Sequence, residues 1–158
     1  MPELRELLAE AGFEDVRTYL QSGNVVLTGR TGPDKVAREC ERVIAGRLGL
    51  DIAVVVRTRD ELAGVVERNP LGKVATNPKR YQVSFLDGKL APQVVEKLDA
   101  AALPSERVVV IGREIYAWHP EGVARSKLWA QLAGRGLGVK ATARNWTTVT
   151  SLLALADA

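Results

Sequence analysis

Hydrophobic and polar positions along the first third of the chain predict a helix followed by a β-hairpin. Leucines at helical spacing predict a helix over residues 3–11, and Gly12 follows as its C-terminal cap. Side chains alternate over residues 15–20, and the apolar run at 25–28 returns after a glycine-containing turn. We therefore expect an antiparallel hairpin over residues 15–28.

The rest of the chain continues to alternate between the helical and the strand-like spacing of apolar residues. In chain order the patterns predict a helix over 33–48, a strand over 52–57, a helix over 59–68, a strand over 81–85, a helix over 91–102, strands over 108–111 and 115–118, and helices over 125–133 and 145–156. Thr58 and Glu61 have the spacing of a capping box at the start of the third helix. Because two strand pairs are hairpins, an α+β fold suits this order better than a doubly wound parallel sheet.

The two halves of the chain repeat the same order of helices and strands but not the same residues. A chain of 158 residues is long enough for one domain, or for two small halves packed as one. No linker rich in proline, glycine or serine separates residues 1–57 from residues 58–158. We predict a single compact unit over 1–158, in which two tandem ferredoxin-like (βαββαβ-type) halves share a core and the second half carries the C-terminal helices.

The composition is that of an ordinary globular protein. Hydrophobic residues make up 46% of the chain and charged residues 26%, which excludes a wholly disordered or collagen-like chain. No apolar run approaches the roughly 18 residues of a membrane span, and no basic and apolar leader opens the sequence, so we expect no membrane association. The one cysteine, Cys40, excludes an internal disulfide, and we expect it to be a core thiol in a reducing cytoplasm.

Charge is distributed unevenly along the chain. Residues 1–70 carry 10 basic and 12 acidic side chains, whereas residues 71–158 carry 12 basic and 7 acidic side chains. No acid occurs between Gly122 and Ala156, a stretch that contains five Lys or Arg residues. A positive field attracts anionic ligands, although a solvated surface whose charges are merely distributed unevenly has the same composition.

Three short segments combine groups that bind anions. The turn at 21–24 carries polar side chains, segment 125–127 places two cations at a helix start, and segment 140–146 places cations beside a tryptophan. The candidate ligand-binding residues are Gln21, Ser22, Asn24, Arg125, Ser126, Lys127, Lys140, Arg144, Asn145 and Trp146. Each segment also has a structural interpretation, as a turn, a helix cap or a core anchor.

Catalytic groups are sparse along the sequence. Ser126 and Lys127 are adjacent, so on a helix they do not face each other as a nucleophile and its base would. The single histidine, His119, has no carboxylate at a recognisable spacing and is expected at the surface. The glycine-rich stretch 134–138 lacks the Lys-Ser/Thr of a phosphate loop and is expected to connect two helices. We expect no catalytic residue, no metal and no cofactor.

Several motifs resemble a known family. Residues 12–26 (Gly-Phe-Glu-Asp-Val-Arg-Thr-Tyr-Leu-Gln-Ser-Gly-Asn-Val-Val), 125–128 (Arg-Ser-Lys-Leu) and 142–149 (Thr-Ala-Arg-Asn-Trp-Thr-Thr-Val) are similar to the signatures of the bacterial domain of unknown function 1697. The resemblance implies a cytoplasmic bacterial protein of two ferredoxin-like halves, with no activity to carry over. Members of that family begin with a strand and a glycine-rich loop that this sequence lacks. The resemblance therefore implies that the first strand is missing and that an unpaired sheet edge favours dimerisation.

Together these observations favour a non-catalytic binding module for an anionic ligand, which would be nucleic acid, a nucleotide or another phosphate compound. Two alternatives remain open. One is an enzyme acting on a small molecule, with a pocket between the halves lined by Gln21, Ser22, Lys127 and Arg144. The other is a structural homodimer that pairs the open sheet edge.

Overall fold

The protein has a mixed α+β fold, as the sequence predicts. The computed structural model describes residues 2–19, 23–134 and 136–158. The helices are α1 (Pro2–Glu10), α2 (Pro33–Leu48), α3 (Arg59–Arg68), α4 (Pro92–Ala101), α5 (Lys127–Ala133) and α6 (Trp146–Asp157). The strands are β1 (Glu14–Tyr19), β2 (Asn24–Thr28), β3 (Tyr81–Leu86), β4 (Arg107–Ile111), β5 (Glu114–Trp118) and β6 (Ala141–Asn145).

These elements form two compact units. Residues 1–62 together with 151–158 form unit 1, and residues 63–150 form unit 2. Unit 1 contains the two-stranded sheet, and unit 2 contains the four-stranded sheet. The divisions fall inside α3 and inside α6, so neither division coincides with the end of an element.

Unit 1 is built around the predicted hairpin. β1 and β2 pair antiparallel, with Thr18 opposite Val25. An apolar cluster joins α1 to α2, and its buried members are Leu4, Leu8, Val36, Cys40 and Ile44. Burial raises the pKa of the Cys40 thiol to about 11, so the thiol stays protonated at neutral pH. This agrees with its interpretation as a core residue rather than a reactive one.

The prediction of a strand over residues 52–57 is wrong. This segment has no strand pairing, although Val54 and Val56 pack against the apolar cluster of unit 1. The backbone N–H of Val54 donates to the carboxylate of Glu41 at 3.2 Å instead of to a neighbouring strand. Alternating valines are enough for one buried side, but a strand also needs a partner backbone, and no described residue supplies one.

Two predicted helix boundaries are confirmed by their caps. The backbone N–H of Thr58 donates to Glu61 Oε1 at 2.8 Å, and the N–H of Glu61 donates to Thr58 Oγ1 at 3.1 Å. This reciprocal pair is the capping box expected at the start of α3. At the end of α2, Gly49 adopts a left-handed conformation with φ of 66°, which favours glycine.

Unit 2 is an antiparallel sheet with the strand order β4-β5-β3-β6. Its elements follow the chain order β3, α4, β4, β5, α5, β6. Leu98 of α4 and Leu128 of α5 are fully buried in one cluster with Ile115 of β5 and Leu86 of β3. Because Leu86 and Ile115 point to one side of the sheet, both helices cover that side.

Strand β6 is absent from the sequence-based prediction. Its residues, Ala-Thr-Ala-Arg-Asn, include no large apolar side chain, so they show no strand-like alternation. β6 forms because β3 offers it a complete antiparallel partner, from Gln82 opposite Asn145 to Leu86 opposite Ala141. The glycine-rich stretch after α5 therefore leads into a strand rather than into another helix, and its Arg135 lies outside the described residues.

The opposite side of the sheet is held by aromatic and polar contacts. Tyr81 is buried and stacks on Trp146, with ring centroids 4.8 Å apart. The Tyr81 hydroxyl donates to Asn69 Oδ1 at 2.9 Å, and the Tyr116 hydroxyl donates to the Val65 carbonyl at 2.9 Å. Burial raises the pKa of Tyr81 to about 12, so the hydroxyl remains a donor at neutral pH.

The β3 aromatic residues are therefore core residues and not a ligand-stacking platform. Tyr81 is 1% exposed and Phe85 is 7% exposed. A sheet that binds RNA by stacking presents such rings to solvent, which these two do not do.

We predict that Leu98→Ala destabilises the protein by about 2–5 kcal/mol, because it opens a cavity in the closed core beneath α4. Leu103→Ala is the matched control, since Leu103 is 39% exposed and its loss costs less than about 1 kcal/mol. Urea unfolding followed by circular dichroism measures both. Equal losses of stability for the two variants would contradict this description of the core.

Candidate functional site

One end of the four-stranded sheet brings together residues that lie far apart in sequence. Tyr81, Trp118 and Arg107 stand side by side on β3, β5 and β4. One residue further out, the backbone N–H of His119 donates to the carbonyl of Arg80 at 3.0 Å. Glu106 precedes Arg107, so the register places it beside His119.

A buried polar cluster lies at this end, formed by Glu106, His119 and Ser126. His119 Nδ1 and the Ser126 hydroxyl both lie 2.6 Å from Glu106 Oε2. The other carboxylate oxygen accepts the backbone N–H of Leu103 at 3.0 Å. The side chains of His119 and Glu106 are 0% and 2% exposed. Because an ionised carboxylate only accepts hydrogen bonds, the network assigns the proton to Nδ1 of His119.

These donors keep Glu106 ionised. Burial by itself raises the pKa of Glu106, but the hydrogen bonds from the Leu103 N–H, the Ser126 hydroxyl and His119 outweigh that effect. The pKa consequently lies below its ordinary value of 4.5. The cluster therefore contains a buried carboxylate that is charged at neutral pH and saturated with donors.

The geometry of the cluster is not that of a nucleophilic triad. The Ser126 hydroxyl donates to the carboxylate rather than to the imidazole, and Ser126 Oγ lies 3.5 Å from the already protonated Nδ1 of His119. Ser126 Oγ also accepts the backbone N–H of Trp129 at 3.0 Å, which caps α5. In a triad the histidine takes the serine proton on the ring nitrogen that does not face the carboxylate.

The buried cluster corrects the expectation for His119. The sequence predicts a surface histidine without a carboxylate partner, but the side chain is fully buried and hydrogen-bonded to Glu106. Its Nε2 has no hydrogen-bond partner among the described residues, and its ring meets Trp129 edge-on at 5.8 Å. The sequence offers no sign of the pair, because 13 residues separate Glu106 from His119 and only strand register joins them.

Basic side chains surround the buried cluster at the surface. We call the exposed residues Lys79, Arg80, Arg107, Arg125 and Lys127 the basic end. Arg80 and Arg107 border His119 and Glu106, and Arg125 and Lys127 flank Ser126. The guanidinium of Arg80 donates to the Pro120 carbonyl, and that of Arg107 donates to the Pro104 carbonyl at 2.8 Å. Three chain segments thus contribute five cations to one end of the sheet.

Of the eight predicted ligand-binding residues that the structure describes, only Arg125 and Lys127 lie at this surface with exposed side chains. Ser126 lies between them and points inward, toward Glu106. A phosphate site on the first turn of α5 is not supported, because the helix has only 7 residues and the N–H of Trp129 is already capped.

Asn145 and Trp146 lie near the basic end in structural roles. Asn145 Oδ1 accepts the backbone N–H of Thr148 at 2.9 Å and so caps α6, which is the structural interpretation of this segment. Trp146 is half-buried against Tyr81, and its backbone N–H donates to the Pro78 carbonyl at 3.1 Å. Arg144 is also half-buried and donates to Thr142 Oγ1 at 2.7 Å. Burial lowers the pKa of Arg144, although a guanidinium remains charged.

The remaining predicted residues lie elsewhere. Lys140 is exposed at the opposite end of the sheet, where its backbone N–H donates to Asp87 Oδ1 at 2.9 Å. Asn24 belongs to unit 1, is buried, and donates from its amide to the Tyr19 carbonyl at 3.1 Å. Gln21 and Ser22 lie outside the described residues.

Two further features of the described part of the chain bear on function. No helix in it is long and apolar enough to cross a membrane. Over the same residues, His, Cys, Asp and Glu side chains form no group of three or more that would hold a metal ion.

We predict that the free energy of unfolding decreases as the pH falls below 4.5, in part because Glu106 takes up a proton more readily in the unfolded chain than in the folded protein. The folded-state pKa is the lower one, so this stability is present above 4.5 and is lost as the pH falls through the folded value. Glu106→Gln costs about 1–3 kcal/mol at neutral pH and makes the acid-induced loss smaller. Urea unfolding across pH measures both effects, and an unchanged acid dependence in the variant would contradict the assignment.

Comparisons with known proteins support the fold and a family. The chain is 19% identical to a conserved bacterial protein from Streptococcus pneumoniae, with a TM-score of 0.79 over 99% of this chain and 88% of that chain. At that identity the likeness shows a shared fold alone. No curated protein matches the chain significantly.

Residues 1–116 match a family described as a protein of unknown function, DUF1697. The match includes the motif at 12–26 and ends before those at 125–128 and 142–149. It nevertheless spans well over half of the 158 residues. The chain therefore belongs to the DUF1697 family of proteins of unknown function.

Proposed function

We propose that the protein is a non-catalytic binding module that holds an anionic, phosphate-bearing ligand at the basic end. The observation that carries the proposal is that five exposed Lys and Arg residues from three segments lie at one end of one sheet. Arg and Lys are the side chains that bind phosphate oxygens most effectively. Glu121 is an exposed acid in the segment before α5, whereas Glu106 is buried and occupied by donors.

Several phosphates suit this surface better than one. The cations come from the starts of β3, β4 and α5. Because β5 lies between β3 and β4 and neighbouring strands are about 4.8 Å apart, the starts of these two strands are about 10 Å apart. A ligand with successive phosphates contacts several of them at once, and it binds with a strong dependence on salt. Nucleic acid, a nucleotide and inorganic polyphosphate share this chemistry.

We also propose a ferredoxin-like fold for unit 2. The order βαββαβ in unit 2, with α4 and α5 on one side of its sheet, supports a ferredoxin-like fold for residues 63–150. A ferredoxin-like first half has weaker support, because residues 52–57 are not a strand. We further propose a cytoplasmic location, supported by the buried, protonated state of Cys40.

We predict that charge reversal at the basic end weakens anion binding. Arg125→Glu and Lys127→Glu each lower the affinity for a labelled single-stranded RNA by about fivefold or more at low salt, and each reduces the salt slope by about 0.7 for every phosphate that is no longer neutralised. Lys140→Glu is the matched control, because Lys140 is exposed at the opposite end of the same sheet. Fluorescence anisotropy measures the affinities.

Inorganic tripolyphosphate, used as a competitor and in direct calorimetry, distinguishes the ligand sources. Binding of RNA with little competition indicates nucleic acid, whereas binding of tripolyphosphate alone indicates a small phosphate compound. The proposal is wrong if neither probe binds at low salt, or if Lys140→Glu weakens binding as much as the other two reversals.

A structural homodimer is a second candidate function, favoured by an observation in unit 1. Within the described residues β2 pairs with β1 alone, and its outer edge has no partner strand. An open edge presents backbone donors and acceptors that a second copy of this chain can pair with.

We predict that a dimer of this kind is lost on Val26→Pro, because proline removes a backbone donor from β2. Val110→Pro, on the edge strand β4 of the other sheet, is the control for general damage to a strand. Light scattering after size-exclusion chromatography measures the mass. A monomeric wild-type protein at high concentration would exclude this candidate.

A further inference from the structure

The three segments that carry the basic end share one interior contact. Arg107 follows Glu106 directly, and the Arg107 guanidinium donates to the Glu106 carbonyl at 2.9 Å. Ser126, which donates to the Glu106 carboxylate at 2.6 Å, stands between Arg125 and Lys127. His119, also bound to that carboxylate, follows β5 and is hydrogen-bonded through its backbone to Arg80. These exposed cations are thus linked to one carboxylate by short covalent or hydrogen-bonded paths.

We propose that Glu106 is the positioning residue of the basic end, fixing the spacing of Arg107, Arg125 and Lys127 by binding His119 and Ser126 at once. This inference rests on the proposed function, because it concerns the geometry that the anionic ligand meets. Glu106 itself does not touch the ligand, since its side chain is 2% exposed.

The chemistry of the cluster suits a positioning role. A carboxylate accepts several donors at once, and charge-assisted hydrogen bonds are short and roughly twice as strong as neutral ones. The donors come from positions 13 and 20 residues away, so the bonds hold separate segments rather than a local turn. The segment from Pro120 to Arg125 has no helix or strand. The hydrogen bond from Ser126 to Glu106 anchors the end of this segment before α5 begins.

Whether neutralising Glu106 raises or lowers the affinity for an anion distinguishes a positioning role from a purely electrostatic one. As a negative charge beneath a cationic surface, Glu106 opposes anion binding, so its neutralisation would raise the affinity if charge alone mattered. If Glu106 sets the geometry, its neutralisation lowers the affinity because the segments that carry the cations lose their fixed spacing. Glu121, an exposed acid in the segment before α5, supplies the matched case in which only charge changes.

The groups that face Glu106 determine how pH enters the test. They are His119 at the end of β5, the Ser126 hydroxyl before α5, the Leu103 N–H before β4, and Arg107 through the Glu106 backbone. The hydrogen bonds keep the pKa of Glu106 below 4.5 despite its burial, so the network is complete above 4.5 and breaks down as the pH falls through the folded value. Acid makes the rest of the protein more positive, which alone would strengthen anion binding.

The experiment compares Glu106→Gln with Glu121→Gln in anisotropy titrations against a labelled oligouridylate at low salt. We expect Glu106→Gln to weaken binding by about fivefold or more, and Glu121→Gln to leave it unchanged or to strengthen it by up to about twofold. We also expect wild-type affinity to decrease below pH 4.5, in the range where circular dichroism shows folded protein, and the Glu106→Gln profile to be flatter. A merely structural residue would change stability without this pH signature.

Ser126→Ala provides a second variant, because it removes the link to α5 and leaves the hydrogen bond between Glu106 and His119 in place. It is expected to weaken binding as well, and it decides the question if Glu106→Gln does not fold. Tighter or unchanged binding in Glu106→Gln, or in Ser126→Ala where that variant decides, overturns the positioning role while leaving the proposed function intact. Absence of wild-type binding to both oligouridylate and tripolyphosphate overturns the proposed function itself.

Discussion

The buried carboxylate of Glu106 is the group on which the candidate site depends. A charged group inside a protein is costly unless its oxygens are occupied, and here the Leu103 N–H, the Ser126 hydroxyl and His119 occupy both of them. Removing one donor would leave a charge incompletely satisfied. Because that change would cost free energy, the segments before β4, after β5 and before α5 stay in one arrangement.

The sheet supplies the frame for this cluster. Register between β3, β5 and β4 places Arg80, His119 and Glu106 side by side, although nearly forty residues of sequence separate the first two. The buried leucines of α4 and α5 hold the helices against one side, and the stack of Tyr81 on Trp146 closes the other. The exposed cations therefore sit on a surface whose backbone is anchored from within, which is the usual basis of a preorganised site.

Local signals in the sequence predict the elements well. Pro33 and Gly49 mark the ends of α2, and Thr58 with Glu61 marks the start of α3, because caps are set by residues close in sequence. The failures involve partners that are distant in sequence. Residues 52–57 have the side chains of a strand without a neighbour to pair with, whereas β6 lacks such side chains but has β3 beside it.

The candidate site shows the same division. Arg125 and Lys127 are recognisable from a basic segment, but Lys79, Arg80 and Arg107 join them only through the strand register. His119 looks like a surface residue until the fold brings Glu106 to it. Lys140 and Arg144 are close to Trp146 in sequence. Lys140 nevertheless lies before β6, at the end of that strand that is far from the basic end.

The most direct test of this account is a backbone NMR titration of the ¹⁵N-labelled protein with inorganic tripolyphosphate. The account predicts saturable shifts at the amides of Arg80, Arg107 and Lys127, with the amide of Lys140 unaffected. Shifts centred on Lys140 and Asp87, or no saturable shift at the basic end, would contradict it.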